Sequence, residues 1–181
     1  MIKELQFPNP EYVFTPVYDR LEVLNTRFII NYGGTGSSKS FSAAQKEILI
    51  AVQTEEPINI LVIRKVAATL RDSVIPSFKR RIGEFDLWEA FSFNKTDRVL
   101  TCTQNNSQII FRGLDDPEKM KSIEGINRIM VEEASELDED DFLELNRRVR
   151  GVPNIQITLC FNPIHESHWL KKTFFDNKVD N

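Results

Sequence analysis

Continuous apolar runs recur along the chain, each followed by small or polar residues. Arg27-Phe-Ile-Ile-Asn-Tyr32, Asn59-Ile-Leu-Val-Ile63, Arg128-Ile-Met-Val131 and Ile155-Gln-Ile-Thr-Leu-Cys-Phe161 read as strands, mostly of the kind buried on both faces. Helical spacing lies between them. Lys39–Val52 carries Phe41, Ala44, Ile48 and Ala51 on one side. Residues 66–82 are helical in pattern, with Pro76 expected to kink or split them. Asp138–Val149 places Phe142, Leu145 and Val149 on one face, with Gly151 just past the end. Three shorter strands are predicted at Phe91–Asn94, Val99–Thr103 and Ser107–Phe111. A turn at Gln104-Asn105-Asn106 joins the last two into an antiparallel insertion or edge. Asp116-Pro117-Glu118 signals a short helix ended by Gly125. Residues 1–26, punctuated by Pro8, Pro10 and Pro16, read as irregular or weakly helical, and His168–Phe175 begins another helix.

Strands alternating with helices predict an α/β fold: a mostly parallel sheet with helices on both faces and a small antiparallel insertion. Ligands of such sheets sit at the carboxyl ends of the strands. The polar residues just beyond those ends are Gly33–Ser40, Arg64-Lys65, Glu132-Glu133 and Asn162. These are the candidate chemistry.

Composition narrows the partners. A length of 181 residues fits a single domain. With 23 basic and 27 acidic residues the net charge is −4. Binding of nucleic acid by overall positive charge is thereby excluded, but local basic patches are not. Residues 64–81 form such a patch: Arg64, Lys65, Arg71, Lys79, Arg80 and Arg81 against Asp72 alone. A solvated helix face competes with a DNA contact for Lys79–Arg81. Arg64 follows a buried strand at the ligand edge and is the better candidate for a phosphate-facing cation. Cys102 and Cys160 cannot form a disulfide framework, which points to a reducing, cytosolic compartment. No apolar run approaches the roughly 18 residues of a membrane span. His165 and His168, with only Glu166 nearby, are too few for a metal site.

Gly33-Gly34-Thr35-Gly36-Ser37-Ser38-Lys39-Ser40 lies between a strand and a helix, the context of a phosphate loop. Small residues let backbone N–H groups turn inward around phosphate oxygens, and the helix N-terminus adds a positive dipole end. Lys39 would neutralise the outer phosphates of ATP, and the Ser40 hydroxyl would ligate Mg²⁺. Ser38 stands where the pattern calls for glycine, so its Cβ demands a negative φ or a relaxed loop. A dinucleotide reading fails for lack of the third glycine and of an acid ending the next strand. Glu132 and Glu133 point differently from a strand end. One suits the metal and the other the attacking water. The acids Asp138–Asp141 read as helix capping and solvation.

Taken in order, Gly33-Gly-Thr-Gly-Ser-Ser-Lys-Ser40, Leu61-Val-Ile-Arg-Lys65, Leu70-Arg-Asp-Ser73, Met130-Val-Glu-Glu-Ala134 and Phe161-Asn-Pro163, with Trp169 soon after, resemble the ATPase domain of tailed-phage large terminases, the DNA-packaging motors. The resemblance spans residues 27–175. It implies a P-loop NTPase fold and Mg²⁺-dependent ATP hydrolysis driving double-stranded DNA into a procapsid. It also implies portal and small terminase partners, a ring of subunits, and the cytoplasm of a bacterial host. Residue by residue it implies Glu132 at the metal, Glu133 as catalytic carboxylate, Asn162 as sensor of the γ-phosphate or water, and Tyr18 or Phe14 against adenine.

Four departures stand out. Glu132 replaces a frequent Asp, Thr35 a frequent Arg, and Cys160 a frequent Thr or Ser. Glu124 stands where relatives often carry a trans-acting Arg, leaving Lys121, Arg128 or Arg71 for that task. Relatives also carry a nuclease domain for which too few residues follow Trp169, so residues 1–181 are expected to be the ATPase domain alone. Two alternatives remain: another P-loop DNA-dependent ATPase, helicase-like or DNA-segregating, and an assembly module that holds nucleotide without hydrolysis.

Overall fold

The structure, a computed structural model, describes residues 14–116, 120, 123–149, 151 and 155–176. The first helix, α1 (Pro16–Glu22), lies in the stretch expected to be irregular or weakly helical, and bears out the helical alternative there. Pro16 occupies the first helical turn, where its missing N–H costs nothing, and the Thr15 side chain accepts from the Tyr18 N–H as N-cap. The prolines at 8 and 10 lie outside the described residues, as do Pro117, Glu118, Lys121 and Arg150.

A 7-stranded sheet forms the core, in the order β1-β7-β6-β2-β5-β4-β3. Its strands are β1 (Phe28–Tyr32), β2 (Asn59–Arg64), β3 (Phe91–Asn94), β4 (Val99–Cys102), β5 (Gln108–Gly113), β6 (Ile126–Glu132) and β7 (Gln156–Phe161). From β1 to β5 the neighbours are parallel, and β5-β4-β3 is antiparallel. The expected insertion therefore exists, as an extension of the same sheet.

Helices cover both faces. On one side α1, α2 (Lys39–Gln53) and α4 (Ile75–Glu84) bury Tyr18, Ile48, Phe78 and Ile82 against Ile60, Phe111 and Met130. On the other, α5 (Glu139–Arg148) and the short α6 (Trp169–Lys171) bury Phe142, Leu145 and Leu170 against Ile129, Ile157 and Leu159.

Pro76 does not split the second helical region, but an irregular turn precedes it. The short α3 (Ala67–Thr69) runs into a π-helical turn (Leu70–Val74), which feeds α4. There the Ile75 N–H reaches back to the Leu70 carbonyl. A wider turn ahead of a proline accommodates both its lost donor and its ring.

β6 and β7 are inserted between β1 and β2, so residues distant in sequence end side by side. Tyr32 pairs with Phe161, Glu132 with Cys160, and Val62 with Met130. The four parallel strands consequently deliver the phosphate loop, Asn162, Glu132-Glu133 and Arg64 to one edge.

Candidate active site

The loop after β1 turns through Gly33–Ser37 and enters α2 at Lys39. Gly33 N–H bonds the Phe161 carbonyl at 3.2 Å, and Ser37 N–H bonds the Gly34 carbonyl at 3.2 Å. These bonds tie the loop to β7 and close its turn. Gly36 has φ 79°, a left-handed conformation that glycine adopts without strain. Ser38 has φ 63° as the N-cap of α2, with no side-chain cap bond. Neither condition set for its Cβ is met: φ is positive, and the serine carries the left-handed strain itself.

Lys39 is buried at 8% exposure. Its ammonium donates to the Gly34 carbonyl at 3.2 Å and to Asn162 Oδ1 at 2.8 Å. The other end of the Asn162 amide faces Glu133 Oε2 at 3.5 Å. A donor on one side and a carboxylate on the other fix which end of that amide is oxygen. Lys39, Asn162 and Glu133 thus form one polar chain across the tips of α2, β7 and β6. Glu133 itself has φ 52° and ψ 54°. A non-glycine residue held left-handed just past a buried strand is the kind of backbone strain that clusters at functional positions. Asn31 anchors the lysine from below, its Nδ2 donating to the Lys39 carbonyl at 2.9 Å and facing Cys160 Sγ at 3.8 Å. Burial pushes the Cys160 thiol well above its usual range, so it acts as a packing residue.

The Ser40 hydroxyl donates to the Glu132 carboxylate, whose other oxygen, Oε2, is buried with no partner among the described residues. Burial, helped by the neighbouring Glu133 charge, raises the Glu132 pKa, while Ser40, Arg64 and Lys39 oppose the shift. A hydroxyl and an under-satisfied carboxylate side by side are hard oxygen donors, and they fit a small divalent cation such as Mg²⁺.

Arg64 reaches this corner but is held elsewhere. Its Nη2 donates to Glu136 Oε1 at 2.6 Å, with the arginine side chain 14% and the glutamate 43% exposed. Lys65 is clamped between Asp138, at 3.0 Å, and Asp141. Asp138 and Asp141 also form a capping box at the start of α5, as the acidic run suggested. Sequence reading missed that Glu136 holds Arg64 and that Asp138 and Asp141 hold Lys65, because the pairings span 72 to 76 positions.

Three further candidates stand outside the Lys39–Asn162–Glu133 chain. Tyr18 is 6% exposed, its ring 4.3 Å from that of Phe14 and its hydroxyl 3.4 Å from Glu22. It is core between α1 and α2, which corrects its expected role as an open face for adenine. Arg128 cannot act on a neighbouring molecule, because it is bound bidentately to Glu47 at 2.6 and 2.9 Å and to Gln156 at 2.5 Å. Arg71 is exposed and pairs with Asp72 at 3.0 Å. The basic triplet at 79–81 divides: Arg81 is buried against Glu84 and over the Phe41 ring, at 4.0 Å. Arg80 lines a cavity of about 270 Å³ with Ser40, Ser73, Ser77 and Glu132. Ser73, Ser77 and Arg80 are residues that helical periodicity alone did not single out. They share that cavity with Ser40 and Glu132.

Known proteins share this chain's sequence pattern and fold. Residues 25–181 match the family model for the phage terminase large subunit. The PBSX phage terminase large subunit of Bacillus subtilis is 38% identical over 145 residues, 79% of this chain and 33% of that protein. The large terminase subunit of Bacillus phage SPP1 is 32% identical over 179 residues, 89% of this chain and 41% of that protein. The chain therefore spans about a third to two fifths of the length of these relatives. Among solved structures, the large terminase of bacteriophage HK97 superposes with a TM-score of 0.72 at 13% identity, covering 87% of this chain and 35% of that one. The large terminase of a thermophilic bacteriophage, solved in complex with ATP-γ-S, superposes with a TM-score of 0.69 at 19% identity, covering 90% of this chain and 38% of that one. The fold is thus that of P-loop NTPases, and the chain belongs to the phage terminase large subunit family.

Proposed function

We propose that this chain is a single P-loop ATPase domain that hydrolyses Mg²⁺·ATP to drive double-stranded DNA into a procapsid. The carrying observation is the pair of contacts at the sheet edge: Ser40 on Glu132, with one carboxylate oxygen unsatisfied, beside the Lys39–Asn162–Glu133 chain. Ser40 and Glu132 would hold the metal, which supplies charge neutralisation at the outer phosphates. The backbone of Gly33, Gly34, Thr35, Gly36, Ser37 and Ser38 would cradle those phosphates, with Lys39 leaving Gly34 and Asn162 to meet them. Glu133 would orient water as general base, and Asn162, bonded to both Lys39 and Glu133, would report whether the lysine is engaged. Arg64 would add a cation once released from Glu136. Such catalysis is positioning and charge stabilisation, so isolated subunits should turn over slowly and faster when assembled.

The wider reading is that the domain works in a homo-oligomeric ring, with portal and small terminase partners, in the cytoplasm of the bacterial host. The decisive experiment measures nucleotide binding and phosphate release for three proteins. Wild type should bind and hydrolyse ATP, Lys39→Ala should not bind, and Glu133→Gln should bind without hydrolysis. Substantial phosphate release by Glu133→Gln would sink the assignment. Failure of wild type to hydrolyse in any assembly state would favour a nucleotide-holding module.

A further inference from the structure

Away from the nucleotide edge, the antiparallel end of the sheet carries a groove of about 680 Å³. Its lining unites two elements. The π-turn and α4 supply Arg71, Ile75, Pro76 and Lys79, and β3 with its following turn supplies Phe93, Lys95, Thr96 and Arg98. Four of these eight residues are cations and none is an acid. That is a concentrated positive surface on a chain whose net charge is −4.

The cations are pre-positioned. Lys79 Nζ sits 3.7 Å above the centre of the Phe93 ring, and Arg98 Nη1 donates to the Ala67 carbonyl at 3.2 Å. Asp72 pairs with Arg71 at 3.0 Å and offsets its charge, and Asp97 is held nearby by Asn94 at 2.7 Å, so Lys79, Lys95 and Arg98 supply the groove's positive excess. The floor of Ile75, Pro76 and Phe93 offers apolar contact to sugar faces, and the stems of the cations extend it. β3 is an edge strand, so no further strand overhangs the groove among the described residues.

We infer that this groove is the surface on which the domain holds the sugar-phosphate backbone of duplex DNA. The identity of the polyanion rests on the packaging-motor reading; the charge and shape of the groove do not. Contact of this kind is sequence-independent, and each neutralised phosphate releases counterions, so it is read in the salt dependence of binding.

The test is fluorescence anisotropy of a labelled duplex, titrated at several salt concentrations. Wild type, Lys79→Ala/Lys95→Ala, Lys95→Gln and Arg147→Ala are compared, with thermal melting of each. The slope of log affinity against log salt should fall by about 1 per lysine removed, in absolute terms. Arg147→Ala, on the opposite face, should keep the wild-type slope. Binding of ATP-γ-S should be unchanged in every variant. Lys95→Gln alters an exposed side chain and so decides the matter even if the double variant folds poorly. A wild-type slope in both groove variants overturns the inference while leaving the ATPase reading intact. So does a change in sedimenting mass with DNA affinity preserved, which would make the groove a contact between copies of the chain. A wild type that binds nucleotide but no duplex overturns the groove and the DNA partner together. A wild type that binds duplex but hydrolyses no ATP would remove only the ATPase reading.

Discussion

Glu47 and Arg128 meet through two hydrogen bonds of 2.6 and 2.9 Å, the glutamate 1% exposed. Glu47 lies seven residues after Ser40 on α2, and Arg128 four before Glu132 on β6. Those intervals keep each pair on one face of its element. The helix and strand that carry the metal candidates are therefore pinned twice, by Ser40 on Glu132 above and by this ion pair below. Removing one partner leaves a buried charge uncompensated. Arg128→Ala should lower unfolding free energy by about 3–5 kcal/mol in urea titrations. The double change Glu47→Leu/Arg128→Met should cost less than either single change, because no lone charge remains.

Glu132 carries a penalty that serves binding rather than folding. Burial disfavours its charge, and only one of its oxygens is satisfied. Glu132→Gln should therefore raise the melting temperature of the protein without ligand at pH 7. Its Mg²⁺-dependent nucleotide affinity should fall by at least about tenfold, the low end of what even outer ligand partners contribute. Calorimetry with and without Mg²⁺ separates the two effects. A variant that is both less stable and still metal-responsive would contradict this account.

Ser38 adopts φ 63° with no cap bond to lose on substitution. Glycine there removes the left-handed penalty and adds back some unfolded-chain entropy. Ser38→Gly should gain about 0.5–1 kcal/mol, or a few degrees in melting temperature.

Lys46 is buried on α2 and donates to the carbonyls of Leu21 and Leu24 at 2.5 and 3.1 Å. Burial, helped by Arg128, pushes its pKa down to about 8. The unfolded chain keeps the proton to a higher pH, near about 10.4. Between about pH 8 and 10 unfolding takes up a proton, so stability should rise with pH across that window. Lys46→Met should flatten this rise, because no group that titrates differently in the two states remains at that position. Above about pH 10 the trend should reverse, because burial, with Glu22 nearby, holds the Tyr18 hydroxyl protonated in the folded state. Denaturant titrations from neutral to strongly alkaline pH check the sign in each range.

The strands and the chemistry at their ends were legible because both are written locally. Ile60–Ile63 and Ile129–Val131 are apolar runs, and the phosphate loop is contiguous. Arg128, Tyr18 and Arg64 were misread or half-read for the opposite reason. A cation beside the acidic strand looks available until Glu47, 81 positions away, is found on it. Tyr18 looks like an accessible ring until α1 packs against α2. Arg64 was placed at the correct edge, but its hold on Glu136 depends on how two loops meet. Ser38 shows a subtler limit: the missing glycine was visible, yet backbone strain at that position is a property of the whole loop.

The sheet order also bears on when this site comes into being. Among the described residues β1 has β7 as its strand partner, and β7 is the last of the described strands. During synthesis from the amino end, the phosphate loop emerges more than a hundred residues before the strand that anchors it. Asn162, which meets Lys39, emerges later still. Such long-range closure is slow relative to local helix formation. Nucleotide capture should thus report completion of the sheet: a nascent chain lacking residues 156–162 would display the loop motif yet have nothing to hold it in register.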